Sequence, residues 1–312
     1  MIVVFGSLTV DLITPVERLP AKGETVVGGS YMLVPGGKGA NQALAAALGS
    51  SPGQRVAMVG TVGGDAWGEV ALERLRAAGV DLSQIAKGRE HTACGFISVD
   101  GHGQTLITVS PGANMETRTE ALDRLQPPLA TGDWLVLQME VALAENWKAL
   151  DKAKAAGART VLNLAPAMPV SQAILSKLDY LVVNQPEAQL IGSVLSLPSR
   201  DHVGIARDIA AHCGLTCIAT LGEHGSVAVE ANGRGWRVGR IDVNVVDTTG
   251  AGDAYVGYLV AALDRGLALP EAMRFASTGA SLSCETRGAQ SAYLGRGVIE
   301  QRMRALDPAA AF

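Results

Sequence analysis

From about residue 118 the sequence alternates short apolar runs with longer segments of helical spacing. Apolar runs at 134–138, 159–164, 180–183 and 216–220 are set between helical patterns at 118–126, 143–156, near 171–177, after Asn184 and at 201–213. Parallel strands cannot be joined by a tight turn and need a long crossover, usually a helix. The alternation therefore predicts an α/β fold, a doubly wound and mainly parallel sheet flanked by helices. In such sheets ligands collect at the carboxyl ends of the strands. Gly6 and Asp11, Glu140, Asn184 and Glu187, Gly222 and Gly225, and 247–253 all follow expected strands.

The first third of the chain has a different texture. Ile2 to Phe5 reads as a buried strand ending at Gly6-Ser7, and 55–60 as a second, before a helix at 67–78. Between them Pro15, Pro20, Gly23, Gly28, Gly29 and Pro35 punctuate short β-like runs such as Glu24-Thr25-Val26-Val27. Thr92–Val99 and Gln104–Val109 flank the turn Asp100-Gly101-His102-Gly103, a hairpin signal. These pieces predict a small second sheet. Near the other end, 270–285 and 296–306 read as helices, and Pro308 with the alanines after it as a tail.

The 312 residues, 48% of them hydrophobic, are enough for one large α/β domain with an accessory element. A net charge of −4 and 4% aromatics argue against a nucleic-acid footprint, a polybasic membrane patch or a base-stacking platform. No apolar stretch has the length of a membrane span, and the N-terminus shows no signal-peptide pattern. Cys94, Cys213, Cys217 and Cys284 match neither a disulfide framework nor a zinc site and read as small buried hydrophobes. A soluble, cytoplasmic protein is expected.

Asp247-Thr248-Thr249-Gly250-Ala251-Gly252-Asp253 joins an alternating run, Arg240 to Val246, to a helical pattern that Gly266 ends. A glycine-rich strand-to-helix turn leaves backbone N–H groups at a helix N-terminus, where the macrodipole favours an anion. A carboxylate beside an anion site is costly, and removing a proton from an attacking hydroxyl is one task that would justify Asp253.

A second glycine loop, Gly36-Gly37-Lys38-Gly39-Ala40-Asn41-Gln42, opens an alanine-rich helix that Gly49 stops. It is not a Walker A loop, because Gly39 follows the lysine where Ser or Thr is required, nor is it a dinucleotide fingerprint. It suits either tight strand–helix packing or backbone approach to a small polar ligand. Asp11, among Leu8, Val10, Leu12 and Ile13, is either half of a turn salt bridge or an acceptor for a ligand hydroxyl.

Taken together, Gly6-Ser7 with Asp11, the 36–41 loop, Gly112-Ala113-Asn114, Gln138-Met139-Glu140, Asn184 with Glu187, Thr220-Leu221-Gly222 with Gly225, the 247–253 turn and Arg287-Gly288-Ala289-Gln290 resemble the ribokinase-like sugar kinases, the phosphofructokinase-B family. The resemblance runs through the whole chain in order, and within the family is strongest to ribokinase. It implies a single ribokinase-like domain over 1–312, with a β lid from about 12–33 and 92–110 that pairs subunits into homodimers.

The same resemblance implies ATP-dependent phosphorylation of a primary hydroxyl on ribose or a similar furanose. Asp253 would be the general base, with Gly250, Ala251 and Gly252 lending N–H groups to the transferred phosphoryl group. Thr9, Asp11, Gly36, Gly37, Lys38, Asn41 and Glu140 would hold the sugar. Asn184, Glu187, Thr220, Gly222, Gly225, Gly252 and Ser277 would hold ATP, with Glu187 on Mg²⁺ through water. Asp247, Thr249, Ser283, Thr286 and Gly288 would surround an activating K⁺, mostly through carbonyl oxygens. Thr9 and Ala292 depart from ribokinase, which carries an asparagine and a serine there. Other acceptors open to the same reading are fructose, a 2-keto-3-deoxy acid or a nucleoside. A non-catalytic sugar-binding regulator is the reading from another class.

Overall fold

The computed structural model describes residues 1–312. Ile2–Phe5 forms β1, buried on both faces, with Ile2 and Val4 in one hydrophobic layer and Val3 and Phe5 in the other. After Gly6, Ser7 and Leu8 the chain runs into β2 (Thr9–Pro15), then β3 (Met32–Gly36), α1 (Lys38–Gly49), β4 (Val56–Val62), α2 (Ala66–Ala77) and β5 (Asp81–Lys87). The hairpin β6 (Ala93–Val99) and β7 (Thr105–Ser110) follows, then β8 (Trp134–Leu137), α3 (Leu143–Ala155), β9 (Arg159–Asn163), the short α4 (Gln172–Leu175) and β10 (Tyr180–Val183). The remainder is α5 (Gln185–Val194), α6 (His202–Cys213), β11 (Thr216–Thr220), β12 (Ser226–Val229), β13 (Gly235–Val238), α7 (Ala251–Asp264), α8 (Leu269–Ser283), α9 (Arg296–Arg302) and β14 (Ala310–Ala311).

The predicted doubly wound sheet is present. Its ten strands run β14-β13-β12-β11-β10-β9-β8-β1-β4-β5. All pairs from β11 to β5 are parallel, and β12, β13 and β14 extend the sheet antiparallel. Strand order reverses at β1, between β4 and β8, so the crevice for a ligand lies past the ends of β1 and β8. Helices α1, α2, α7 and α8 cover one face of the sheet, and α3, α5 and α6 the other. Helices α1 and α7 pack closely because their contact is built of small residues. A Cβ added at Gly257 would lie 2.5 Å from the Gln42 carbonyl oxygen and 2.6 Å from Ala45 Cβ.

A separate four-stranded sheet, β3-β2-β6-β7, stands beside the main one. Its strand β2 continues from β1 with only Gly6, Ser7 and Leu8 between them. Met32, Phe96, Leu106, Ile107 and Val109 on this sheet are exposed apolar residues.

Several expectations need correction. Arg240–Val246 is not a strand, although Ile241 is buried and Val243 partly so. A strand needs a neighbour, and the free edge of β13 is taken by β14. The supposed tail is therefore part of the sheet. Glu24–Val27 is a loop, braced by Glu24 on Arg18 and the Ala21 N–H; the small sheet uses Thr9–Pro15 and Met32–Gly36 instead. Residues 119–124 make 3₁₀ turns where an α-helix was expected over 118–126. Strands β5 and β13 were not anticipated. No helix is long and apolar enough to cross a membrane, and all four cysteines are buried and unpaired.

Candidate active site

Helix α7 begins immediately after Gly250, whose φ of 74° is a left-handed conformation. A side chain there is excluded twice, since a Cβ would lie 2.5 Å from Ala289 Cβ and 2.7 Å from the Tyr293 hydroxyl oxygen. Tyr293 donates its hydroxyl to the Gly250 carbonyl at 2.8 Å. This kink turns the Ala251 N–H back to the Thr248 carbonyl, 3.2 Å away. Ala251 is thus not a free donor, contrary to expectation. The N–H groups of Gly250, Gly252 and Asp253 make no hydrogen bond within the protein, and the space around Gly252 is open. Three unpaired donors at a helix N-terminus are suited to an anion.

Asp253, in the first turn of α7, is buried. Its two oxygens are held from α1: Asn41 Nδ2 donates to Oδ2 and Gln42 Nε2 to Oδ1, both at 2.9 Å. The close α1–α7 packing brings these amides within reach of the carboxylate.

On one side of Asp253 lies a group of predicted sugar-binding residues. Asp11 sits on β2 opposite Val34 of β3 and Gly95 of β6. Added Cβ atoms at Gly95 and Gly36 would fall 2.5 Å and 2.7 Å from its carboxylate oxygens. Burial, and then the charge of Glu140, push the Asp11 carboxyl up to about 6, against the smaller effects of Thr9 and Lys38. Glu140, past the end of β8, accepts the Ser7 hydroxyl at 2.5 Å and the Lys38 N–H at 3.0 Å. Burial alone would lower the pKa of the Lys38 ammonium, but Asp253, Glu140, Glu187 and Asp11 outweigh it and shift the group upward. Lys38 is thus a half-buried cation within the electrostatic reach of carboxylates on both sides of the site. Gly37 passes against the backbone of Leu8 and Thr9, so the loop packs tightly there.

On the other side, Asn184 and Glu187 form a reciprocal capping box at the start of α5: the Asn184 side chain accepts the Glu187 N–H at 3.0 Å, and Glu187 Oε2 the Asn184 N–H at 2.7 Å. Burial raises the Glu187 carboxyl above its ordinary value, opposed by the Asn184 N–H and Lys38. Its second oxygen has no partner in the protein. A single free carboxylate oxygen fits Mg²⁺ carried on phosphates and water. Thr220 donates to the Val183 carbonyl at 3.4 Å, next to Asn184. Gly222 faces open space, whereas Gly225 packs against the Val238 carbonyl and serves the turn itself. Ser277, on α8, donates to the Gly239 carbonyl at 2.5 Å.

Asp247 belongs to a third group. Its Oδ1 accepts the Thr249 N–H at 2.9 Å and hydroxyl at 2.6 Å, and Oδ2 the Gly288 N–H at 2.8 Å. Burial would raise its pKa, but these bonds and Arg287 hold it below the ordinary value. The carbonyl oxygens of Asp247, Thr249, Ser283, Thr286 and Gly288 accept no hydrogen bond from the protein. These unbonded carbonyl oxygens and the stabilised carboxylate are oxygen donors of the kind a cation would take.

Sequence reasoning gave no role to Gly95 or to Gln42, Gln138, Asn163 and Gln290, which are all buried polar residues joined to the Asp253 network. The available signal was their polarity: Gln42 interrupts an alanine helix, and Gln138 and Asn163 end apolar strands.

An α/β sheet with a buried carboxylate beside unpaired N–H groups at a helix terminus is an arrangement suited to phosphoryl transfer. The sequence profile of the pfkB family carbohydrate kinases matches residues 1–294, and the chain belongs to that family, whose members phosphorylate a sugar hydroxyl with ATP. It is 33% identical over 297 residues to the ribokinase of Schizosaccharomyces pombe, covering 93% of both chains. The Thermotoga maritima ribokinase structure matches with a TM-score of 0.88 and 29% identity, over 97% of this chain and 99% of that one. The Arabidopsis thaliana ribokinase complexed with ribose and ATP matches with a TM-score of 0.85 and 28% identity, over 97% and 98%.

Proposed function

We propose that this enzyme transfers the γ-phosphate of ATP to a primary hydroxyl of ribose or a closely similar furanose. The observation that carries the reading is the position of Asp253, between the unpaired N–H groups of Gly250 and Gly252 and the polar group of Asp11, Lys38, Asn41 and Glu140. In this reading Asp11, with Thr9, Gly36 and Gly37 around it, accepts sugar hydroxyls. Asp253 takes the proton of the attacking hydroxyl. Lys38 and the N–H groups of Gly250 and Gly252 offset the charge that develops on the phosphoryl oxygens. Asn184, Glu187, Thr220, Gly222 and Ser277 line the nucleotide side. A divalent ion, held by phosphates and through water by Glu187, would supply further charge neutralisation.

We read the Asp247 group as a K⁺ site that keeps the 247–253 turn in shape, and the exposed apolar face of the small sheet as a homodimer contact. An edge strand as apolar and exposed as β7 is a liability unless covered. ATP consumption fits a cytoplasmic place of work. The test is ADP release across ribose, 2-deoxyribose, fructose, 2-keto-3-deoxygluconate and a nucleoside, each with K⁺ and with Na⁺. Highest kcat/KM with ribose is expected. Another preferred acceptor would change the substrate, and sugar binding without any ADP release would favour a regulator.

A further inference from the structure

Resting on Asp253 as the base, we infer that Gln42, Gln138, Asn163 and Gln290 form a relay of side-chain amides that positions its carboxylate. A carboxylate only accepts hydrogen bonds, so the amide atoms facing it must be NH₂ groups. Asn41 and Gln42 present theirs to Asp253, and their carbonyl oxygens must then point away into a buried region where each needs a donor. Both are supplied from elsewhere in the chain. Gln138 Nε2, past the end of β8, donates to Gln42 Oε1 at 2.8 Å. Gln290 Nε2, on the loop after α8, donates to Asn41 Oδ1 at 3.1 Å. Asn163 Oδ1, at the end of β9, accepts from Gln42 Nε2 at 3.0 Å. The main chain of Gln138 is itself anchored, since Asn146 Nδ2 donates to its backbone carbonyl at 2.5 Å. The outer amides thus set which way the inner amides face, and the inner amides fix both oxygens of Asp253.

All four relay residues are buried, and the side-chain oxygens of Gln138 and Gln290 have no donor in the protein. The relay also reaches the cation loop, because Gln290 lies two positions beyond Gly288, which binds Asp247.

Gln290→Met and Gln138→Met each remove one outer donor at similar volume. Loss of a donor to the inner amides should lower kcat on the order of tenfold, with KM for sugar and ATP changing less than about threefold. Gln290→His, which keeps an N–H donor, should recover much of the loss. Unchanged kcat in both methionine variants, or higher KM with kcat intact, would overturn the relay. Melting temperature and ADP binding are read for each variant. If the methionine variants do not fold, the test moves to the Asn41 and Gln42 side-chain NH₂ resonances of the wild-type protein, which should shift in Asp253→Asn; unshifted resonances overturn the contact. Normal turnover by Asp253→Asn would remove the base reading. An inactive Asp253→Asn beside methionine variants at wild-type kcat would remove the relay alone.

Discussion

Asp11 stands opposite Gly95 on the neighbouring strand, and its carboxylate occupies the space that a side chain at 95 would fill. Gly95→Ala must therefore displace either the carboxylate or the strand. Displacing a binding group by about an ångström costs up to about a hundredfold. We expect KM for the sugar to rise roughly tenfold or more, while ATP affinity stays near that of the parent. Steady-state kinetics with each substrate varied in turn checks this, and an unchanged sugar KM would separate Asp11 from the acceptor.

The raised pKa of Asp11 makes it a cost to the fold at neutral pH. Its carboxyl goes from an ordinary value of 3.8 to about 6 in the folded state. The folded protein therefore holds the proton more tightly, so stability is greatest below the unfolded value and falls as pH rises through the folded one. A shift of about two units corresponds to about 3 kcal/mol at most. Asp11→Asn should gain stability relative to the parent between pH 4 and 7 and little below that range, while losing sugar affinity. Urea midpoints for both proteins at several pH values test the slope; a difference independent of pH would contradict it.

Asp253→Asn keeps the shape of the proposed base and removes its ability to take a proton. Turnover should fall by about 10²–10⁴-fold, the range of general-base contributions, with ADP binding kept and a lower melting temperature, because the new NH₂ meets that of Asn41 or Gln42. Retained turnover with every acceptor would exclude Asp253 as the base.

Gly250 and Gly252 are two residues apart but should respond differently to alanine. At 250 a methyl group meets Ala289 and Tyr293 in a left-handed backbone, so Gly250→Ala should lose about 1–3 kcal/mol of stability. At 252 nothing lies within 4 Å, and the position is helical. Gly252→Ala should raise stability by about 0.4–1 kcal/mol, yet lower kcat because the new methyl stands where a phosphate approaches the N–H groups. Paired thermal melts and kinetics distinguish the two, and a fully active Gly252→Ala would move the phosphate elsewhere.

The features legible in the sequence were those decided by near neighbours. Ile2–Phe5 is apolar throughout because both faces of β1 are covered, and Asn184 with Glu187 reads as a helix start because the capping box is local. The alternation at 240–246 misled because a strand exists only beside a partner, and the edge it needed belongs to Ala310–Ala311. Gly95 was missed because its meaning comes from its register against Asp11. The amide relay was missed because its members meet only after the chain from 42, 138, 163 and 290 is brought together, and hydrogen-bond direction among amides cannot be read along a chain. Ala251 failed as a donor for one local reason, the backbone kink at Gly250 that turns its N–H inward.

In the proposed reading the acceptor side draws on both sheets, since Lys38 and Asn41 on α1 and Glu140 past β8 belong with the large one. Asp11 and its flanking glycines belong to the small sheet, whereas Asp253, Glu187 and the anion-binding turn are fixed to the helices of the large one. Mutation can therefore explore new acceptors by altering β2, β3 and β6 while the phosphate machinery keeps its packing. A lineage built on this scaffold is free to diversify in diet without reinventing its chemistry.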